Sequence, residues 1–339
     1  MADETLRVTV IGAGSWGTAL GHLLARGGHH VTMWALEPEV VSGINEQHRN
    51  PLFMRDAELP DNLRASGDFA DALCGAQMVL FVIPAQVMRE QLRVMREHLP
   101  ADAPLVICSK GIERGTLATM DQVLREELPE SFHRWIAVLS GPSFAAEVIE
   151  ARPTNVTAAA RDLDVARQVQ HAVATRDFRV YTTDDVVGVE MGGALKNILA
   201  IVIGGSDALG LGHNTRAALI TRGLAEITRI AVNLGGRPET MLGLAGVGDL
   251  VLTCTGDMSR NRQVGKLLAQ GHTMEQVKQE MEQVAEGVPT TESAYQLAHK
   301  HGIDVPIIDT VYKVIYEDLD ILSAWTALQD RELKHEWSL

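Results

Sequence analysis

Two charged residues stand alone in apolar surroundings. Residues 191–203 are apolar or glycine at every position except Lys196 and Asn197. A helix apolar all round is buried, and an ammonium held there is costly unless paired. Burial would also lower its pKa toward the working pH, as a general acid/base requires. The plain alternative is a helical lysine that snorkels to the surface. Gly192 and Gly193 precede Lys196 by one turn and leave room for another group to approach its head. Across 242–254, Asp249 is the only charged residue; taken alone it could be an N-cap. Two isolated opposite charges in two separate apolar segments suggest a meeting in which Asp249 holds and tunes Lys196.

A second group of residues has the spacing of a phosphate cradle. Residues 6–11 are short, apolar and β-branched, as in a buried parallel strand. Gly12, Gly14 and Gly17 follow, and then an apolar-periodic helix over 18–26 and a second apolar run over 31–34. Gly12 would allow the tight turn, Gly14 the approach of a pyrophosphate, and Gly17 close packing of helix on strand. Phosphates would rest on the free amides at the helix start. The acidic residue that such a site places on the adenosine ribose has a candidate in Glu37, which could equally be a solvated loop charge.

Further candidates lie where strands end. Lys110 follows the strand at 105–108, and Gly141-Pro142-Ser143 follows the next one, at the carboxyl edge where such sheets bind ligands. Ser259-Arg260-Asn261 opens a helix, where an arginine fork and free amides would suit a phosphate. A simple cap with a surface arginine would read the same. The histidines show no metal spacing, so no metal is expected.

The elements that must position these groups fall into two kinds. Strands are expected near 6–11, 31–34, 63–65, 78–83, 105–108, 135–139, 154–159 and 178–181, alternating with helices at 18–26, 38–47, 86–98, 116–128 and 162–175. Alternation of this length implies a Rossmann-type α/β fold, a doubly wound parallel sheet. From 184 onward the pattern is helical: 187–208, 214–234, 238–244, 260–270, 274–283, 290–301, 306–316 and 322–328. The expectation is a dinucleotide-binding domain over 1–183 and an all-helical C-terminal substrate domain over 184–339.

Composition narrows the class. The 339 residues suffice for two cores. A net charge of −14 argues against nucleic acid or an anionic membrane as partner, so an anionic substrate would need a local basic pocket. Cys74, Cys108 and Cys254 are far apart and form no C-x-x-C pair, as expected of reduced thiols in a cytoplasmic protein. No signal peptide is visible, and the apolar run 198–203 is too short to span a bilayer.

Six motifs in order carry a family resemblance over nearly the whole chain. They are Gly-Ala-Gly-Ser-Trp-Gly-Thr-Ala (12–19), Ser-Lys-Gly-Ile-Glu (109–113), Gly-Pro-Ser-Phe-Ala-Ala-Glu-Val (141–148), Gly-Ala-Leu-Lys-Asn-Ile (193–198), Gly-Leu-Ala-Gly-Val-Gly-Asp-Leu (243–250) and Ser-Arg-Asn-Arg (259–262). The chain resembles the bacterial NAD(P)-dependent glycerol-3-phosphate dehydrogenases. The resemblance implies interconversion of sn-glycerol 3-phosphate and dihydroxyacetone phosphate in a cleft between two domains, supply of the phospholipid backbone, and a homodimer. By position, Lys196 resembles the family's proton acceptor and donor. Lys110, Gly141, Ser143, Asp249, Ser259, Arg260 and Asn261 resemble its substrate contacts, and Ser15, Trp16, Lys110, Ala145, Arg260, Val284 and Glu286 its cofactor contacts. The family usually has a basic residue two positions after the tryptophan that ends the second strand. Here Leu36 stands there, followed by Glu37, which tilts the cofactor from NADP toward NAD. Two other readings fit the same residues: a related two-domain hydroxy-acid dehydrogenase, and a module that senses the nucleotide without turnover.

Overall fold

The structure is a computed structural model that describes residues 5–281, 285–333, 335 and 336. Eight strands form one sheet: β1 (Arg7–Ile11), β2 (His30–Trp34), β3 (Leu63–Ser66), β4 (Met78–Phe81), β5 (Leu105–Ile107), β6 (Ile136–Ser140), β7 (Thr154–Ala160) and β8 (Phe178–Thr183). Their spatial order is β3-β2-β1-β4-β5-β6-β7-β8. The order reverses at β1, where β2 leaves to one side and β4 to the other, so the glycine turn after β1 opens at a topological switch point.

The strand sequences are near-continuously apolar because both sheet faces are covered. Val8, Val10, Leu80 and Val106 enter the core on one face. Ile11, Val79, Phe81 and Ile107 enter the core on the other. This two-residue alternation is that of any strand; here neither phase meets solvent.

Two strands, β7 and β8, run against the other six and depart from the expected parallel sheet. β7 pairs antiparallel with β6, and β8 then runs parallel to β7. The link between β6 and β7 contains only the five-residue helix Ala145–Ile149. A five-residue helix spans only about 7.5 Å, too little to carry the chain back along the sheet to a parallel start, so the chain folds straight back beside β6.

The last strand ends at Thr183 and the helical part begins at Val186. The helices used below are α1 (Ser15–Arg26) in the sheet domain, then α2 (Val186–Ala208), α3 (Gly212–Asn233), α4 (Asp249–Thr255), α5 (Arg260–Ala269), α6 (Gly287–Lys300) and α7 (Pro306–Tyr316). Helix α2 is the axle on which α3, α4, α5, α6 and α7 all pack. By length and composition it could cross a bilayer, although the run 198–203 within it is short and the helix is enclosed by the others. Its 23 residues are long and apolar enough, and 89% of its most apolar window is buried inside the protein.

A second difference lies just before α4. The helix expected over 238–244 is a short turn of helix at Pro238–Met241, followed by a wide turn at Leu244–Gly248 and then α4 itself. Gly246 breaks the helix with φ −94° and ψ −105°. A Cβ there would lie 2.2 Å from the Met241 carbonyl oxygen. Glycine is what allows the chain to turn this tightly and aim Asp249 inward.

Candidate active site

Lys196 and Asp249 meet. Lys196 is 7% exposed and Asp249 0%. The Lys196 ammonium donates to Asp249 Oδ1 at 2.5 Å and to Thr253 Oγ1 at 2.7 Å. Thr253 stands one turn beyond Asp249 on α4 and donates to the Asp249 carbonyl at 2.7 Å. Lys196 therefore does not snorkel. Asp249 does not cap its helix, since Gly248 holds that position and the carboxylate points across to α2.

The other oxygen of Asp249 is taken by the sheet domain. Lys110, just beyond β5, donates to Asp249 Oδ2 at 2.8 Å and to the Gly141 carbonyl at 3.3 Å. One buried carboxylate thus joins two ammonium groups from the two halves of the chain. Burial pushes the Lys196 pKa down to about 8; attraction to Asp249 resists this and repulsion from Lys110 adds to it. With two cations on one anion the site carries net positive charge, the local basic pocket that an acidic protein needs for an anionic substrate.

The glycines before Lys196 serve close packing, which corrects the expectation that they leave room at its head. A Cβ on Gly192 would lie 2.3 Å from the Ala245 carbonyl oxygen, and one on Gly193 would lie 2.6 Å from Ser140 Oγ. The space is filled by the wide turn and by the end of β6. Gly141, at φ +149°, follows Ser140, and a Cβ on it would lie 2.9 Å from Val156 Cα of β7. Its carbonyl also accepts from Ser143 Oγ at 2.9 Å, so Gly141, Ser143 and Lys110 form one cluster at the strand ends.

The nucleotide turn has the features expected of it. Gly12 has φ +112°, and a Cβ on Gly17 would lie 1.9 Å from the Gly12 carbonyl oxygen. Gly14 faces open space, with nothing within 4 Å of a Cβ placed there. Gly14 is also the N-cap of α1 and no side chain caps that helix, so the amides at Ser15 and Trp16 lie at an uncapped positive end. Trp16 Nε1 is buried and without a partner. Ala145 begins the short helix that packs on α1. An uncapped helix end, an open glycine and an unpartnered indole fit a dinucleotide.

Asn50 is a part of this turn that the sequence did not reveal. It is 0% exposed and donates to the Ala13 carbonyl at 2.8 Å and to Thr18 Oγ1 at 2.9 Å. Its own oxygen accepts from the amides of Leu52 and Phe53. Nothing in the local pattern ties residue 50 to residue 13; only the fold brings them together.

Ser259 caps α5 through the Arg262 amide, with Arg260 as the first helical residue. The Asn261 side chain is built into the structure: it donates to Asn197 Oδ1 at 2.9 Å and accepts from the Gly287 amide at 2.9 Å. Any ligand would meet Asn261 through what this network leaves free. Glu286 lies within the electrostatic reach of Arg260. Burial raises its carboxyl to about 7 against the pull of Arg260. Glu286 Oε2 and Thr290 Oγ1 are both buried and unpartnered near Gly111, and so offer hydrogen bonds to a group placed between the domains. Val284 lies outside the described residues. Leu36 is 74% exposed just past β2, and Glu37 is the N-cap residue of the next helix without a side-chain cap bond. Among the described residues no group of three or more His, Cys, Asp or Glu is placed to hold a metal.

Comparison with known proteins agrees with this geometry. The model of the NAD-dependent glycerol-3-phosphate dehydrogenase N-terminus matches residues 7–166, and that of the C-terminus residues 185–326. A glycerol-3-phosphate dehydrogenase (NAD(P)+) of Geobacter sp. strain M21 is 52% identical over 97% of this chain and 98% of its own. That of Geobacter sulfurreducens is 53% identical over the same shares. The crystal structure of glycerol-3-phosphate dehydrogenase from Coxiella burnetii superposes with a TM-score of 0.90 at 38% identity, covering 96% of this chain and 99% of that one. A D-mandelate dehydrogenase at 12% identity and TM-score 0.61 shares the fold alone. With both domains matched, and with Lys110 of one joined to the Lys196–Asp249 pair of the other, the chain belongs to the NAD-dependent glycerol-3-phosphate dehydrogenase family.

Proposed function

We propose that this protein interconverts dihydroxyacetone phosphate and sn-glycerol 3-phosphate, with Lys196 as the general acid/base. The observation that carries the reading is the Lys196 amine, buried, held on Asp249 and Thr253, and lowered to about 8. An ordinary lysine amine, near 10.4, yields its proton too reluctantly for this work. NADH or NADPH, when bound, would supply the hydride to C2 of the ketone, and the oxidised cofactor would take it back in reverse.

In reduction Lys196 hydrogen-bonds the C2 carbonyl and delivers its proton to that oxygen; in oxidation the neutral amine removes the hydroxyl proton. Asp249 orients the amine, and Lys110 adds positive charge beside it. Arg260 and the amides at the start of α5 grip the substrate phosphate, and Gly141 and Ser143 border the carbon skeleton. The sign of the pH dependence follows. Reduction needs the protonated amine and should lose rate as pH rises through about 8. Oxidation needs the neutral amine and should gain rate over the same interval.

Arg260→Ala is expected to raise KM for dihydroxyacetone phosphate by about tenfold or more, the loss of a charge-assisted contact. An unchanged KM in initial-rate measurements would remove Arg260 from that role.

NAD is the preferred cofactor in this reading. An exposed Leu36 stands where an arginine would bind the 2′-phosphate of NADP, and Glu37 beside it would repel that phosphate. Comparing kcat/KM for NADH and NADPH tests it, and a strong preference for NADPH would reverse it. The resemblance further supports a homodimer that makes glycerol 3-phosphate for phospholipids in the cytoplasm, where three free thiols would stay reduced. Sedimentation would check the dimer.

A further inference from the structure

Lys110 is a long flexible side chain on a segment, 109–116, that has no regular secondary structure. Its ammonium must nevertheless be held 2.8 Å from a buried carboxylate on the other domain. Four rotatable bonds give the side chain many positions, so the backbone that carries it has to be fixed first.

That backbone is held from several sides: Ser109 Oγ donates to the Ile83 carbonyl at 2.5 Å, Ser293 Oγ to the Ile112 carbonyl at 3.2 Å and the Glu113 amide to the Ala118 carbonyl at 2.9 Å, and a neighbouring turn adds a further grip. Gln86 uses both ends of its amide: Nε2 donates to the Ile112 carbonyl at 2.9 Å, and Oε1 accepts from the Arg114 amide at 3.0 Å. This is the bonding that an adjacent strand would give. One turn further on, Arg89 clasps Glu113 between them, with Nε at 2.9 and 3.1 Å and Nη2 at 2.8 Å from its two oxygens. The Arg89 and Glu113 side chains are 16% and 11% exposed, a sheltered bidentate pair of the strong kind. Arg89 is itself fixed by Glu127 at 2.8 Å. Gly111 lies flat between these grips, with no room for a Cβ because Ala85 Cβ would be 2.7 Å away. None of these groups touches Lys196 or Asp249 in the hydrogen-bond network.

We propose that Gln86 and the Arg89–Glu113 pair are positioning residues for the reaction, acting together as a clamp that sets the Lys110 ammonium over Asp249. The clamp acts through Lys110 alone, and it rests on the reading of Lys110 as a substrate contact. A misplacement of about 1 Å in such a group costs on the order of a hundredfold in rate.

The test is a double-mutant cycle on the full-length protein, with Gln86→Ala, Glu113→Gln, Lys110→Ala and the combinations. Gln86→Ala and Glu113→Gln should each raise KM for dihydroxyacetone phosphate by about 10- to 100-fold. Because the Lys110 charge helps hold the Lys196 pKa down, loosening the clamp should also move the alkaline limb of the reduction profile to higher pH. In the Lys110→Ala background neither change should add anything further. If the effects add in full, or the limb stays in place, the clamp is overturned and the contacts serve folding only. Should Gln86→Ala unfold, Gln86→Met, which keeps the volume, is read against the same criteria. Lys110→Ala by itself separates the two ideas: a KM unchanged there overturns the substrate-contact reading, whereas a raised KM with additive clamp variants overturns the clamp alone.

Discussion

Lys196→Ala is expected to lower turnover in both directions by about two to four orders of magnitude, the range that a positioned acid/base contributes. Affinity for NADH should change little, because the glycine turn and the start of α1 are built from the other domain. The residual rate should lose its dependence on pH near 8, since that limb belongs to the deleted amine. Lys196→Arg should not restore activity: a guanidinium stays charged at working pH and does not exchange its proton. Stopped-flow and steady-state assays with dihydroxyacetone phosphate and NADH check all four statements. A variant that retains more than about a tenth of the parent's turnover would show that the proton comes from elsewhere.

Asp249→Ala should be the most damaging substitution for stability within the site. It leaves the Lys196 ammonium buried on α2 with Thr253 as its remaining partner and Lys110 now repelling it. Removing one member of a buried ion pair costs about 3–5 kcal/mol. At roughly 2–4 °C per kcal/mol for a domain of this size, thermal unfolding should move down on the order of 10 °C. Asp249→Asn keeps the shape and an acceptor oxygen, so it should fold better and report on chemistry instead. Attraction to the carboxylate is what opposes desolvation at Lys196. Without it the amine should lose its proton at lower pH. In reduction the alkaline limb should therefore shift to lower pH, opposite in sign to the shift expected from loosening the Lys110 clamp. A limb that stays in place in Asp249→Asn would show that the two residues, although in contact, are not coupled in the reaction.

The strands were legible because both faces of the sheet are dry, so each appears as an unbroken apolar run bounded by turn residues. The antiparallel return of β7 was not, because a strand's own residues do not record the direction of its neighbour; the shortness of the one helix between β6 and β7 decides it. Helix α4 was missed for a related reason. The glycines before it erase helical periodicity, and the wide turn exists only because Gly192 on α2 lets the Ala245 carbonyl pack against it.

The sequence by itself determined the two kinds of domain, the glycine turn after β1, and the pair of lone charges, Lys196 and Asp249, that had to find each other. Each is a local pattern: a period, a glycine spacing, or a charge that an apolar segment could not shelter unpaired. Only the tertiary structure decided that Lys110 completes the pair, that Thr253 and Asn50 take part, and that the glycines beside Lys196 serve packing. These contacts join residues as far apart as 139 positions, and no short-range pattern encodes a meeting that depends on how two domains face one another.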